Sequence, residues 1–427
     1  MAVIPQAPVE SANLNPGFTQ FPAAKPGRLD SVDLLRGLVM VIMALDHVRD
    51  YFSYLRFAPE DLSHTFGALF FTRWITHFCA PSFFFLAGTG AYLSLGKGKH
   101  PAQLSSFLWK RGLWLVFLEL TVVGFGWTFI PRPILGLLVI WALGWSMVVM
   151  AFMVRRPMAA IATLGVGMMV LHDLFDKVNP ATFGKLSWLW MILHQPGFYQ
   201  LKANFLPPQT GFFVLYPLIP WVGVMAAGYA LGPILRKPAH ERRRLLWMIG
   251  GAMVLAFLLL RATNVYGNPP ADAGFASPGP FVYQKTAELS VIAFLNVEKY
   301  PPSLDYLLMT LGPAMMMLAW FDRFNFKSAA GRLWEKILVY GRVPMFYYLV
   351  HIYLIHLMAI AVAVMYHQPV GWLWNGVFTS APLPDHYGHG LPFIYAMWLL
   401  AVAILYYPCK WFAGVKQRRR DWWLGYL

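Results

Sequence analysis

The chain has 427 residues, of which 58% are hydrophobic and 12% charged, with a formal net charge of +15. Soluble proteins carry roughly a quarter charged residues. A soluble globule of this size could not hide so much apolar surface, so the composition excludes that class and points to a bilayer, where the outside of the protein must also be apolar.

Residues 1–27 are polar, rich in Pro and Ala, and lack the apolar core of a secretory signal. They read as a disordered cytoplasmic tail, and 28–427 as a single multi-helix transmembrane domain. A spanning helix needs about 20 mostly apolar residues. The stretches that qualify are Leu35–Phe52, Arg73–Leu95, Phe107–Phe129, Ile134–Val154, Met158–Phe175, Phe212–Leu235, Leu245–Ala262, Leu304–Phe321, Ile337–Tyr366 and Leu391–Phe412. The expected fold class is therefore all-α, a polytopic transmembrane helix bundle of about ten helices. The ninth stretch is long enough to tilt or to run into the interface. The block from Pro196 to Phe213 leaves room for a re-entrant or interfacial piece. Cys79 and Cys409 are too few for a disulfide framework, and fall near opposite faces of this topology.

Lys and Arg set the orientation. With the N-terminus inside, alternate connections collect Lys25, Arg28 and Arg36, then Lys97, Lys99, Lys110 and Arg111, then Arg155 and Arg156, and later clusters at 236–244, 323–342 and 410–420. Both termini are then cytoplasmic. Basic residues at cytoplasmic helix ends meet anionic headgroups, so the lipid bilayer accounts for the net charge and no nucleic acid is required. The three long connections, 176–211, 263–303 and 367–390, all face outside. Long connections of this kind serve either to engage a ligand or to cover helix ends.

Ionisable groups inside the hydrocarbon are costly and mark function by default. Arg36 and His47 are eleven residues apart on the first helix, so they share a face and lie about 16 Å apart along the axis. A guanidinium at the inner edge suits a phosphate-bearing ligand, and a buried imidazole suits a proton acceptor. A snorkelling Arg and a His bonded to a neighbouring helix would explain the pair equally well. Asp46 diverges by 100° from His47 and is expected to meet His77 or His351 across the bundle. Asp50 is expected to pair with Arg49 or Arg73. Glu119 lies deep enough to need a partner, for which Arg36 or Arg342 are available. His356 is expected at the interface beside Tyr353 and Trp372. His47, His77 and His351, with Asp46, reach similar depth on separate helices. Such a cluster could do proton chemistry or carry protons. No two of these residues have the short spacing of metal ligands, and no metal is expected.

Three segments carry a resemblance: Arg28-Leu-Asp-Ser-Val-Asp-Leu-Leu-Arg-Gly through Asp46-His47, Gly341-Arg-Val-Pro-Met-Phe-Tyr-Tyr through His351, and Tyr407-Pro-Cys-Lys-Trp-Phe through Trp423-Leu-Gly-Tyr-Leu427. They resemble the bacterial membrane proteins grouped with the heparan-alpha-glucosaminide N-acetyltransferase catalytic domain. The resemblance implies a transmembrane acyltransferase of the bacterial cytoplasmic membrane. Its donor would be cytosolic acetyl-CoA as co-substrate, and its acceptor an extracytoplasmic sugar or glycan. The spacing of Arg36 and His47 also looks like the first-helix motif of the wider membrane acyltransferase superfamily, which implies His47 as base. It also implies Arg36, helped by Arg111 or Arg342, as the site of the CoA phosphates. His351 or His77 would orient the acceptor or stabilise the oxyanion. The heparan enzyme itself differs near the position of His47, so His77 stands as a competing base. A proton-coupled transporter using the same histidines, or a non-catalytic scaffold, remain the alternatives, and a homo-oligomer is compatible with all three.

Overall fold

The computed structural model describes residues 29–95, 100–131, 134–201, 207, 210–270, 278–324, 329–375, 383–419 and 421–426. The tail at 1–27, together with Arg28, Lys97, Lys99, Lys327 and Arg420, lies outside the described residues. The helices that build the body are α1 (Asp30–Phe52), α2 (Gly67–Leu95), α3 (Pro101–Leu118), α4 (Val139–Met153), α5 (Met158–Phe175), α6 (Leu218–Leu235), α7 (Ala239–Thr263), α8 (Leu304–Phe321), α9 (Ala329–Arg342), α10 (Pro344–Met365) and α11 (Leu391–Arg418). Seven of these, α2, α5, α6, α7, α8, α10 and α11, are long and apolar enough to cross a membrane. Their outward side chains are large and apolar, with Leu164, Leu259, Leu357 and Leu399 all more than half exposed. A water-facing surface would not carry that load. The chain is an all-α integral membrane protein.

The first helix carries more charge than the seven, and where it sits explains how. Asp33, Arg36, Asp46, Arg49 and Asp50 all lie on α1, yet α1 is packed against α2, α8, α9, α10 and α11 and is largely buried. A helix shielded by five others can hold charges that lipid would reject, provided they pair.

Glycines set the tightest crossings. Gly37 of α1 faces Gly341 of α9, Gly88 of α2 faces Gly228 of α6, Gly112 of α3 faces Gly144 of α4, Gly165 of α5 faces Gly223 of α6, and Gly250 of α7 faces Gly312 of α8. At all ten positions a Cβ would come to 3.0 Å or less from an atom of the partner helix. With no hydrophobic drive between helices in lipid, backbone contact of this kind is what holds a bundle together. Gly90, two residues past Gly88, faces the Arg36 side chain instead.

Two expected spans begin later than the sequence suggested. Ile134–Leu137 and Gly211–Val214 are strands, not the first turns of helices. With Gly197–Gln200 they form a small sheet in which the first strand runs parallel to the third and the second antiparallel to it. Helix α6 starts only after Pro217, whose ring disfavours helix in the residue before it. The ninth span is also not one helix. It divides at Val343 into α9, with Glu335 and Lys336 exposed and Leu338 and Tyr340 buried, and α10, which Pro344 opens at its first position.

Glu119 shows how a deep carboxylate is accommodated. It opens a π-helical turn, Glu119–Val123, that follows α3. One of its oxygens accepts from the backbone N–H of Ile140 (2.8 Å) and Trp141 (3.1 Å). Its partners are thus the orphan donors at the start of α4, not Arg36 or Arg342. Glu119→Ala is expected to lower stability by about 1–3 kcal/mol, read as a fall in the thermal midpoint of the detergent-solubilised protein. An unchanged midpoint would remove the capping role.

Candidate functional site

His47 stands on α1 and His351 on α10, and the two rings meet in the bundle interior. His47 Nδ1 is 2.7 Å from His351 Nε2. The rings stack with centroids 4.9 Å apart. His351 is fully buried, and its Nδ1 faces two backbone carbonyls of its own helix, Tyr348 O at 2.6 Å and Tyr347 O at 3.2 Å. Carbonyl oxygens only accept, so His351 Nδ1 carries the proton. In the neutral ring Nε2 is then an acceptor, and His47 Nδ1 must donate to it. The bare nitrogen of the pair is then His47 Nε2, which has no hydrogen-bond partner among the described residues. The ring of Trp127 stands edge-on to His47 at 4.9 Å. Tyr51 stacks on Trp127 and donates its hydroxyl to the Trp127 carbonyl (2.8 Å). The imidazole is therefore held from two sides and offers one basic atom.

Asp46 faces elsewhere. Its Oδ2 pairs with Arg73 of α2 at 2.6 Å and its Oδ1 with Arg49 at 2.9 Å. Arg49 also holds Asp50 at 2.6 Å, and Arg73 Nε holds Glu60 at 2.7 Å. Three carboxylates and two guanidiniums so close a network at the C-terminal half of α1. Glu60 lies in the 53–66 connection. Burial alone would raise its carboxyl, but the Arg73 guanidinium overrides this and holds it well below the usual carboxylate range. Neither His77 nor His351 bonds to Asp46.

His77 joins the far side of this network. Its Nε2 is 3.8 Å from Glu60 Oε1, too long for a hydrogen bond. Its backbone carbonyl accepts from the Tyr306 hydroxyl at 2.7 Å. Both ring nitrogens are buried without a hydrogen-bond partner. His356, expected at the interface, is fully buried. It is stacked 4.0 Å from the Phe129 ring, with Nδ1 3.0 Å from the Gly126 carbonyl. Phe129 ends its helix in the left-handed region and is thereby turned towards His356.

The three arginines lie towards the other end of α1. Arg36 pairs with Asp33 at 3.0 Å, and its guanidinium is within electrostatic reach of Arg111. Arg111 donates to the carbonyl of Gly425, in the final 3-10 turn Trp422–Gly425, and lies over the Phe107 ring at 5.8 Å. Arg342 ends α9 beside the Gly37–Gly341 crossing, 3.9 Å from Asp30. The Nε atoms of Arg111 and Arg342 are buried without a hydrogen-bond partner.

Sequence reasoning passed over Glu60 and Trp127. Glu60 lies between spans, where hydropathy says nothing of burial. An acid in a connection of fourteen residues that leads straight into a helix bearing Arg73 was the available signal. Trp127 gave none, since only the fold turns it against His47.

A family model, that of the heparan-alpha-glucosaminide N-acetyltransferase catalytic domain, matches residues 28–261, more than half of the chain. The matched stretch contains Arg36, Asp46, His47, His77 and Arg111, and stops short of Arg342 and His351. No curated protein matches the chain.

Proposed function

The chain belongs to the heparan-alpha-glucosaminide N-acetyltransferase catalytic family, and from that premise we propose that it moves an acetyl group from cytosolic acetyl-CoA to a hydroxyl or amine of an extracytoplasmic sugar or glycan. The observation that carries this reading is the His47–His351 contact, which leaves that pair one bare nitrogen, His47 Nε2, in the interior of a membrane-spanning bundle.

His47 Nε2 takes the proton from the acceptor as its oxygen or nitrogen attacks the thioester carbonyl. The tetrahedral intermediate collapses, the C–S bond breaks, and the thiolate takes the proton back from His47. The acetyl group has then moved, CoA leaves as the thiol, and nothing is oxidised or reduced. His351 accepts from His47 Nδ1–H throughout, so the positive charge that forms on His47 is shared with a second ring. Asp46 takes no part in the proton transfer and serves the fold, because its oxygens are committed to Arg73 and Arg49.

Arg36, Arg111 and Arg342 are the groups we assign to the CoA phosphates, because planar guanidiniums bind phosphate through two donors at once. The positive-inside pattern puts this end of α1 in the cytoplasm. His77, held apart by the Glu60–Arg73 network, is the competing base.

The test is incubation of the purified protein with labelled acetyl-CoA and a cell-envelope extract, following free thiol and labelled product together. Release that needs both the extract and His47 is expected. Thiol release lost in His77→Ala but kept in His47→Ala would transfer the role to His77. A proton-coupled permease would use the same two rings as a relay. It predicts solute flux driven by a pH gradient with no need for CoA.

A further inference from the structure

Away from the His47 pair, two segments of chain close on each other beside the 303–304 start of α8. The last turn of α5, His172–Phe175, runs into Asp176, four residues after His172. The short helix Ser187–Leu193 ends at His194. One ligand atom from each of His172, Asp176 and His194 lies within 4.8 Å of the other two. The three residues are 1%, 7% and 1% exposed. Among the described residues no other three His, Cys, Asp or Glu side chains come together in this way.

The polar accounting of this corner does not close. His194 Nε2 and Asp176 Oδ1 are 3.1 Å apart. Both ring nitrogens of His172, Nδ1 of His194 and Oδ2 of Asp176 complete no hydrogen bond, although the Pro302 carbonyl approaches the His172 ring. His172 Nδ1 lies 3.1 Å from Asp173 Oδ1, but neither atom completes a hydrogen bond. Buried polar atoms are normally satisfied, so several on facing side chains call for a shared partner.

The charge accounting fails in the same sense. Asp176 and Glu298 are buried and close enough to act on each other, and Asp173 adjoins them. Among the described residues no Lys or Arg forms an ion pair with any of the three, whereas Asp46, Glu60 and Asp322 are each paired with arginine. A bound cation would balance all three.

We propose that His172, Asp176 and His194 bind one divalent transition metal, with zinc as the first choice. Two imidazoles and a carboxylate are a donor set that zinc takes at about 2.0–2.2 Å. Ligand atoms on a zinc tetrahedron are about 3.3 Å apart, so the 4.8 Å limit closes with small side-chain rotations. Three protein ligands leave the fourth position to water. Asp173 Oδ1 and Glu298 Oε2, both without partners, supply the acceptors that orient ligands and bound water from behind. The site ties the 176–211 connection to the end of α5, and aromatic packing steadies it. Trp190 lies 5.3 Å from the His194 ring and 6.0 Å from Phe175, and donates to the Val178 carbonyl at 3.1 Å. None of this depends on acyl transfer.

The experiment uses untagged full-length protein in detergent, stripped with EDTA, loaded with zinc, desalted and analysed for metal, with affinity from competition against a chromophoric chelator. One zinc per chain is expected, with cobalt(II) substitution giving the visible bands of a tetrahedral site. His172→Ala and His194→Ala are expected to weaken binding at least 100-fold, while His47→Ala binds as the wild type does. Because an alanine variant can fail to fold, Asp176→Asn and His194→Gln, which keep the side-chain volume, are measured beside them and are expected to lose at least tenfold. Zinc far below one per chain in the wild-type protein, or wild-type affinity in folded Asp176→Asn and His194→Gln, would overturn the proposal.

Discussion

His47→Ala is expected to lower acetyl transfer by about 10²–10⁴-fold, the contribution typical of a positioned general base, with expression and thermal midpoint little changed. The ring is only partly buried, and its one hydrogen bond is to a residue that keeps two carbonyl contacts of its own. Truncating it thus removes a basic atom without orphaning a charge. His351→Phe separates the two roles in the pair. It keeps a ring in the same slot but takes away the acceptor that holds the proton on His47 Nδ1. The expected loss is smaller than for His47→Ala and falls on turnover, not on the KM for acetyl-CoA. Initial rates of thiol release over a range of acetyl-CoA concentrations make the comparison. Full activity in His47→Ala would end its assignment as the base.

Arg73→Met should be the most damaging change to stability. Arg73 is the bridge between Asp46 and Glu60, and removing it leaves two carboxylates without their main counter-charge. Breaking one partner out of a buried ion pair costs about 3–5 kcal/mol. The low end applies, because Glu60 keeps 28% of its side chain exposed. The triple variant Asp46→Asn, Glu60→Gln, Arg73→Met removes the charges together and should recover most of the loss, since a neutral set has no charge left uncompensated. Thermal midpoints of the single and triple variants decide this. If the triple variant is no better than the single one, Arg73 contributes packing and not charge balance. Asp46→Asn alone reports on the chemistry. It should lower the midpoint and leave the rate per folded molecule near wild type, whereas a rate loss at unchanged stability would mean that Asp46 acts on His47 directly.

The helical framework was legible because it rests on a one-dimensional signal. Apolar stretches of spanning length mark helices whatever their partners, and the eleven-residue step from Arg36 to His47 carries a depth that the helix rise alone determines. What the stretches could not supply was where a helix stops when the apolar character continues. Ile134–Leu137 and Gly211–Val214 are as apolar as the helices they precede, and only pairing with each other made them strands. The partners of Asp46 were illegible for a different reason. Helix geometry could say that Asp46 turns away from His47, but Arg73 and Glu60 reach it through tertiary packing. The His172, Asp176 and His194 grouping left a faint trace, two ligand types one helical turn apart. The trace is faint because this trio lies where a span ends, and only the fold brings His194 back to it.

The burial of α1 has a bearing on how the protein is made. This helix leaves the ribosome well before its neighbours α10 and α11, which begin more than 300 residues later. At 5–20 residues per second, roughly 15–60 s of synthesis separate the emergence of α1 from that of α10. For that interval Asp46, Arg49 and Asp50 have no complete shelter and lipid is a poor host for them. Insertion machinery or a membrane chaperone must keep α1 until the last three helices arrive. A nascent chain halted before residue 329 should therefore be found crosslinked to such a holder through α1, and one halted beyond α11 should have been released.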